Sequence, residues 1–348
     1  MILMQCDNGP PSTWCAECGK VGLGTSECDH SFEPDIVACD YSGIWQRKQV
    51  EGLYRGRVSL IVNQLPNRDW RDLVDLHWFD TPSRLVSILE RAKVSRPRTV
   101  ATHNYGNKTP LHVLAAFPDA ILVVHDLHHL GLADRPGAGA ERTLIGRARR
   151  IVFPSAPMRD AVAGYLARGT KTLVQHQRVP AKHYLWRDRC EGAIYQGRVN
   201  DSWGGVFELL REDGHRVRVM PSIVNHGGDL SRFGDVEPTR YYSKVLDACS
   251  RAKWGLAGSP SSNPSMARSM SNKYWDYLAA GCVPIVLNHP GVAEVVRATG
   301  CGVVARNAED VVKIAGDDGL WAEARGRIRD ARGSLAMESQ REEWEAFL

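Results

Sequence analysis

Short apolar runs alternate with stretches of helical periodicity along most of this chain. Residues 35–39, 58–62, 99–103, 120–125, 150–153 and 172–175 read as strands. Between them, residues 82–94 place Leu85, Ile88, Leu89 and Ala92 on one helical face. Residues 109–117 and 157–167 are further helical stretches, each with a proline near its start. The alternation then restarts: strand 192–199 with a glycine turn, helix 203–211, strand 217–220, helix 240–252 and strand 254–258. Residues 291–298, 302–305 and 308–315 continue it as helix, strand and helix. Alternating β and α elements predict α/β architecture with mostly parallel, doubly wound sheets. Proline and charge between 176 and 191 mark a linker, so the expected divisions are 1–34, 35–180, 190–335 and a terminal helix 336–348. The opening run Met1–Met4 has the character of a first strand, and Trp344 and Phe347 could anchor a returning final helix.

Residues 271–287 are the richest stretch. Tyr274, Tyr277 and Leu278 lie at helical spacing, Ser271 can cap the helix start, and Gly281 sits where a helix end wants a left-handed residue. Val283-Pro284-Ile285-Val286-Leu287 is apolar without alternation, as a strand covered on both faces should be. Upstream, residues 258–265 are Gly, Ser, Pro and Asn, a small-residue loop feeding the helix. A helix start of this kind presents free N–H groups and a positive dipole end, which attract phosphate.

The order of these features resembles the nucleotide-sugar site of GT-B glycosyltransferases, in particular glycosyltransferase family 4. The resemblance covers most of residues 95–315 and is strongest over 192–305. It implies two Rossmann-like doubly wound domains facing a cleft, the first on the acceptor side and the second binding the nucleotide sugar. Asp276 stands where that family has a glutamate holding the ribose hydroxyls of the donor. Ile194-Tyr195-Gln196-Gly197-Arg198 is similar to the motif whose arginine contacts donor phosphate, which implies that role for Arg198 beside Gly197. Ser271, Asn272 and Lys273 fall in the same donor motif. Two positions depart from the family: Trp203 replaces a lysine five residues after the arginine, and Arg268 replaces an acid eight residues before the helix carboxylate. Lys273 or Arg268 would then supply the missing phosphate charge. In the first half, Val123-Val124-His125-Asp126 looks like the family's strand ending in His-Asp, and His103 ends another strand. His125, Asp126 and His103 are therefore the catalytic candidates, as sugar-hydroxyl partners or acid/base groups. The adjacent pair His128-His129 is a weak metal signal.

The implied activity is transfer of a hexosyl or pentosyl unit from a nucleotide-diphosphate sugar, with retention and no catalytic metal. The acceptor implied by the family is a glycan or lipid-linked sugar. Two other activities share the fold: a non-catalytic binding protein and a nucleotide-sugar epimerase.

Cys15-x2-Cys18-x9-Cys28-x-His30 is a second distinctive feature. Three thiols and an imidazole match a closed structural zinc site, a knuckle without a core of its own. Together with the basic stretch at 142–150, it raises a modified base in DNA as an alternative acceptor. Composition adds limits. With 43% hydrophobic and 24% charged residues the 348-residue chain is globular, and no stretch approaches the 18 apolar residues of a membrane span. A net charge of +4 does not demand a polyanionic partner. Nine scattered cysteines, an odd number, fit a reducing cytoplasm better than a disulfide framework.

Overall fold

The computed structural model describes residues 11, 13–22, 28–41, 44–64, 73–104, 108–125, 127, 138–197, 199, 201–221, 230–237, 242–259 and 268–348. Residues 1–10, which include the opening run read above as a first strand, lie outside this set. The chain forms two compact units. One runs to His176 and adds Glu342–Leu348; the other spans Gln177–Arg341.

Among the described residues, the first unit holds a seven-stranded sheet. Its strands are β1 (Asp35–Tyr41), β2 (Val58–Gln64), β3 (Val74–Trp78), β4 (Thr99–His103), β5 (Ile121–Val123), β6 (Arg150–Phe153) and β7 (Lys171–Val174). They lie in the order β3-β2-β1-β4-β5-β6-β7 and every pairing is parallel. The second unit holds β8 (Ala193–Gly197), β9 (Val217–Pro221), β10 (Asp235–Val236), β11 (Trp254–Gly258), β12 (Val283–Leu287) and β13 (Val303–Ala305). Their order is β10-β9-β8-β11-β12-β13, again wholly parallel. Each sheet winds outward in both directions from its first strand. The strand order therefore reverses between β1 and β4 in one unit and between β8 and β11 in the other. Such switch points open a crevice at the carboxyl ends of the strands.

Burial follows the apolar runs. Every residue of β4, β8, β11 and β12 is buried, as strands covered by helices on both faces must be. The Pro82–Val94 helix, capped by the Thr81 hydroxyl, presses Leu85, Ile88, Leu89 and Ala92 into the first core beside Ile36, Ile61 and Leu122. β3, β10, the Ile44–Gly52 helix and the Ala138–Arg147 helix have no counterpart in the apolar pattern. The Ile44–Gly52 helix buries Gln46, Arg47, Lys48 and Gln49 along with Trp45 and Val50, so burial on it does not follow an apolar period. At the chain end, Trp344 of the Arg341–Phe347 helix is buried against Tyr54, with ring centroids 5.7 Å apart. No described helix is long and apolar enough to cross a membrane.

Candidate functional site

In the second unit β8 and β11 pair through only two positions, Ala193 with Trp254 and Ile194 with Gly255, and then part. Tyr277 fills the gap between them. Its hydroxyl accepts from the Gln196 N–H (3.2 Å) and donates toward the Leu256 carbonyl (3.1 Å), with the Ile194 carbonyl 3.4 Å away. Backbone groups left by the parted strands are thereby satisfied inside the core. Gly255 makes this possible, because a Cβ there would come within 2.4 Å of the Tyr277 ring. The crevice at this switch point is thus held open by a side chain of the Asn272–Ala279 helix.

That helix begins beside the strand ends. Ser271 occupies its N-cap position, but the hydroxyl makes no capping bond, contrary to the expected role. Lys273 crosses the end of β8, with its ammonium 5.1 Å from the centre of the Tyr195 ring. Gly197 leaves room for it: a Cβ on Gly197 would lie 2.7 Å from Lys273 Cε, and φ is +123° there. The Lys273 stem is partly exposed, yet burial of its ammonium lowers its pKa to about 8 against the pull of Asp276. Asp276 itself is only 5% exposed. Its carboxylate accepts from the Tyr242 hydroxyl (2.9 Å) and from Gln196 Nε2 (3.2 Å).

His289, which the sequence motifs did not single out, lies beside this group. It follows β12 and is 2% exposed, with Nε2 3.5 Å from the Ser269 hydroxyl. Burial and the nearby Lys273 charge bring its pKa down to about 4, so the ring is neutral. Asn288, just before it, adopts a left-handed φ of 49° that turns the chain from β12 toward the next helix. The structure therefore gathers Gly197, Asn272, Lys273, Asp276 and His289 at one strand-end cluster, with Ser271 at the helix start. Arg268 is partly exposed in the turn leading to Ser271. Arg198 lies outside the described residues, as do 260–267. Trp203, at the departing position, is a core residue 2% exposed, packed on Tyr195 (4.7 Å) and Phe207 (5.7 Å).

At the other switch point His103 and His125 meet. His103 Nδ1 and His125 Nε2 are 2.6 Å apart and the rings stack at 4.9 Å, so one ring donates to the other. Asn104 Oδ1 accepts from the His125 N–H (2.7 Å), and Trp45 stacks on the outer face of His125 at 4.8 Å. His103 is fully buried and His125 nearly so. Burial holds His125 down at about 3 and His103 well below the usual imidazole range, with His125 adding to the effect. Both rings are neutral at physiological pH. Asp126, His128 and His129 lie outside the described residues.

No family model and no curated protein matches the sequence. Solved structures do match. HepE from Anabaena in complex with UDP and glucose superposes with a TM-score of 0.68 at 11% identity, over 90% of this chain and 100% of that one. The complex of HepE with UDP-glucose gives 0.67 at 12%, with the same coverage. Sucrose-phosphate synthase from Thermosynechococcus elongatus gives 0.62 at 12%, over 90% of this chain and 98% of that chain. The fold is GT-B.

The cysteine cluster decorates the first GT-B sheet. Ligand atoms of Cys15, Cys18, Cys28 and His30 lie within 4.8 Å of one another. The turn that carries Cys15 and Cys18 is bonded to the edge strand β3: Val21 N–H donates to Leu76 O and Trp78 N–H to Gly19 O, both 2.8 Å. His77 Nδ1 is 2.9 Å from the Cys18 carbonyl, and Arg84 donates to the carbonyls of Cys15 and Ala16. The cluster thus covers a sheet edge that would otherwise be open to pairing. Backbone N–H groups of Cys18 and Glu17 bring Cys15 down to about 7, outweighing the burial that would raise it. In the basic stretch near 142–150, Arg142 lies over Tyr165 and Arg150 bonds the Asp119 and Leu348 carbonyls, while Arg142, Arg147 and Arg149 are exposed.

Proposed function

We propose that this chain is a glycosyltransferase that moves a sugar from a nucleotide-diphosphate sugar to an acceptor hydroxyl, with retention. The carrying observation is the crevice between β8 and β11, where a buried carboxylate and a desolvated lysine meet one helix start. UDP and UDP-glucose complexes of the GT-B neighbour HepE support the donor class. In this reading Asp276 takes the ribose hydroxyls, with Tyr242 and Gln196 fixing its orientation. Arg198, Arg268, Ser271, Asn272 and Lys273 receive the diphosphate, and Gly197 keeps the approach open. As the bond from sugar C1 to the diphosphate oxygen breaks, positive charge at the helix start stabilises the departing phosphate. The acceptor oxygen forms the new bond to C1, and its proton passes to the departing diphosphate oxygen. The first unit takes the acceptor, a glycan or lipid-linked sugar. There Asp126 and His125 bond sugar hydroxyls, and His103 positions the His125 ring. A reducing cytoplasm is the proposed setting.

A thermal-shift screen against uridine, guanosine, adenosine and thymidine diphosphate sugars tests the reading. One of them should stabilise the chain, and Asp276→Ala should lose the response. If none shifts the melting temperature, the donor assignment fails. Turnover assays then divide the activities. Sugar interconversion without acceptor would indicate an epimerase, and binding with no hydrolysis or transfer a non-catalytic protein.

We further propose that Cys15, Cys18, Cys28 and His30 hold a structural zinc. A tetrahedral ion with Zn–S of about 2.3 Å and Zn–N of about 2.0 Å separates its ligand atoms by about 3.5–3.8 Å. Here Cys15 Sγ to His30 Nδ1 is 3.5 Å and Cys18 Sγ to Cys28 Sγ is 3.4 Å. His30 Nε2 lies 3.5 Å from Glu17, the outer carboxylate that orients a metal-bound imidazole. Four protein ligands leave no open position, so the ion's role is to hold the turn on β3. Elemental analysis should find about one zinc per chain. A metal-free protein with undiminished stability would reject the site.

A further inference from the structure

The strand-end cluster of the second unit contains polar groups that internal packing does not use. His289 is 2% exposed, yet its Nδ1 has no hydrogen-bond partner among the described residues. Asn272 Oδ1, at the first position of the helix, is likewise buried without one. Such atoms occur elsewhere among the described residues, His103 Nε2 being one, but these two flank a lysine: Asn272 precedes Lys273 on the helix, and His289 feels its charge. Lys273 stands between these groups and Tyr195. Among the described residues it makes no hydrogen bond and no close ion pair, only its contact with the Tyr195 face. A cation desolvated without a close counter-charge is costly, and an arriving anion removes that cost.

We propose that Lys273 and His289 form a two-sided clamp for the diphosphate, Lys273 giving charge and His289 giving an Nδ1–H hydrogen bond. The clamp uses the tautomer in which the Ser269 hydroxyl, 3.5 Å away, donates to Nε2 and the proton resides on Nδ1. A neutral histidine serves here because a second cation beside Lys273 would be repelled. The clamp explains Gly197 as well, since any side chain there would push the lysine off the strand end. Anion recognition by this pair needs no base or sugar contact, so it fixes the chemical class of the ligand as a pyrophosphate ester. The clamp rests on the nucleotide-sugar reading above.

Calorimetric titration of the full chain with UDP, GDP, ADP, TDP, inorganic pyrophosphate and the four nucleosides tests it. Lys273→Met should weaken nucleoside diphosphate and pyrophosphate at least about 30-fold, and His289→Phe about 10-fold. Nucleoside affinity should stay within about twofold in both variants. Binding should fall as pH rises through about 8, where Lys273 loses its proton, and Lys273→Arg should flatten that fall. The other groups facing the ammonium are Asp276 on its own helix, His289 after β12 and Tyr195 on β8. His289 titrates near 4, and burial raises Tyr195 above its usual range, so neither changes charge in this window. Melting curves of each variant confirm folding. If the wild type binds a nucleotide and both variants bind it equally well, the clamp is wrong and the donor site survives. If the wild type binds none of these ligands, the donor reading fails and the clamp with it.

Discussion

Each sheet carries buried histidine at its strand ends, and the two groups differ in their neighbours. At the end of β4, His103 shares its Nδ1 with the His125 ring, on which Trp45 stacks. At the end of β12, His289 is just as buried and stands near a lysine. Each group keeps one buried ring nitrogen without a hydrogen-bond partner among the described residues, His103 Nε2 in one and His289 Nδ1 in the other. Neither burial nor an open nitrogen therefore separates a structural histidine from a binding one. What separates these two groups is charge: His103 and His125 meet neutral rings, whereas His289 feels an ammonium that an anion would neutralise.

The largest effect should come from placing a lysine at position 203. Trp203 fills the core behind Tyr195, so Trp203→Lys exchanges aromatic packing for an unpaired ammonium. A loss of about 4 kcal/mol in urea unfolding is expected, against about 1.5 kcal/mol for Trp203→Phe. A well-folded Trp203→Lys protein would mean that the cation could come from either position, and the contrast between the two strand ends would lose its physical basis. His125→Ala should cost about 3 kcal/mol, from a cavity under Trp45 and an orphaned His103 nitrogen, while leaving nucleoside diphosphate affinity unchanged. A drop in that affinity would place the histidine pair in the donor machinery.

These sites were unequally legible in the sequence. β4, β11 and the helices Pro82–Val94 and Ala308–Ala315 have the boundaries that their apolar periods indicate. The Ile44–Gly52 helix was invisible because Gln46, Arg47, Lys48 and Gln49 are buried along with Trp45 and Val50, and period counting registers only apolar burial. β3 was missed because Asp75 and His77 interrupt a five-residue run; their partners are Lys20 and the Cys18 carbonyl of the cysteine turn. The donor motif at 271–281 was readable as a helix with a carboxylate. His289 was not, since a lone histidine after a strand carries no spacing signal, and its open nitrogen is a property of three dimensions. The departure at Trp203 was visible as a letter, but its meaning required seeing Lys273 lie over the neighbouring Tyr195.

Acid should act on both strand ends. His103, His125 and His289 all have folded pKa values depressed below their unfolded range. The unfolded chain then binds more protons, so stability is complete above about pH 6.5 and declines as pH falls below it. By pH 5 each buried imidazole should cost about 2 kcal/mol relative to pH 7. His125→Phe should remove its share of that slope in urea midpoints measured across pH 5–7. Bound nucleoside diphosphate should protect only the His289 share. Equal protection of the first unit's histidines would contradict the separation drawn between them.

The smallest effect has the opposite sign. Lys273 carries a desolvated charge that the free protein does not neutralise at close range, so Lys273→Met should stabilise the chain by about 1 kcal/mol at pH 7 after allowance for its exposed stem. The sign follows from its lowered pKa. The cost is in full force below about pH 8, where the folded side chain is still protonated, and is relieved as pH climbs from there toward the unfolded value of about 10.5. Wild type should therefore gain stability across that window while Lys273→Met stays flat, and the two urea midpoints should converge at the alkaline end. A strand end built for packing shows no such penalty, because removing one of its side chains leaves a hole. A gain in stability coupled to a loss of diphosphate binding is the pattern expected of a charge kept in place for its ligand. A destabilised Lys273→Met protein would instead put Lys273 with His103 and His125, among groups that the fold itself requires.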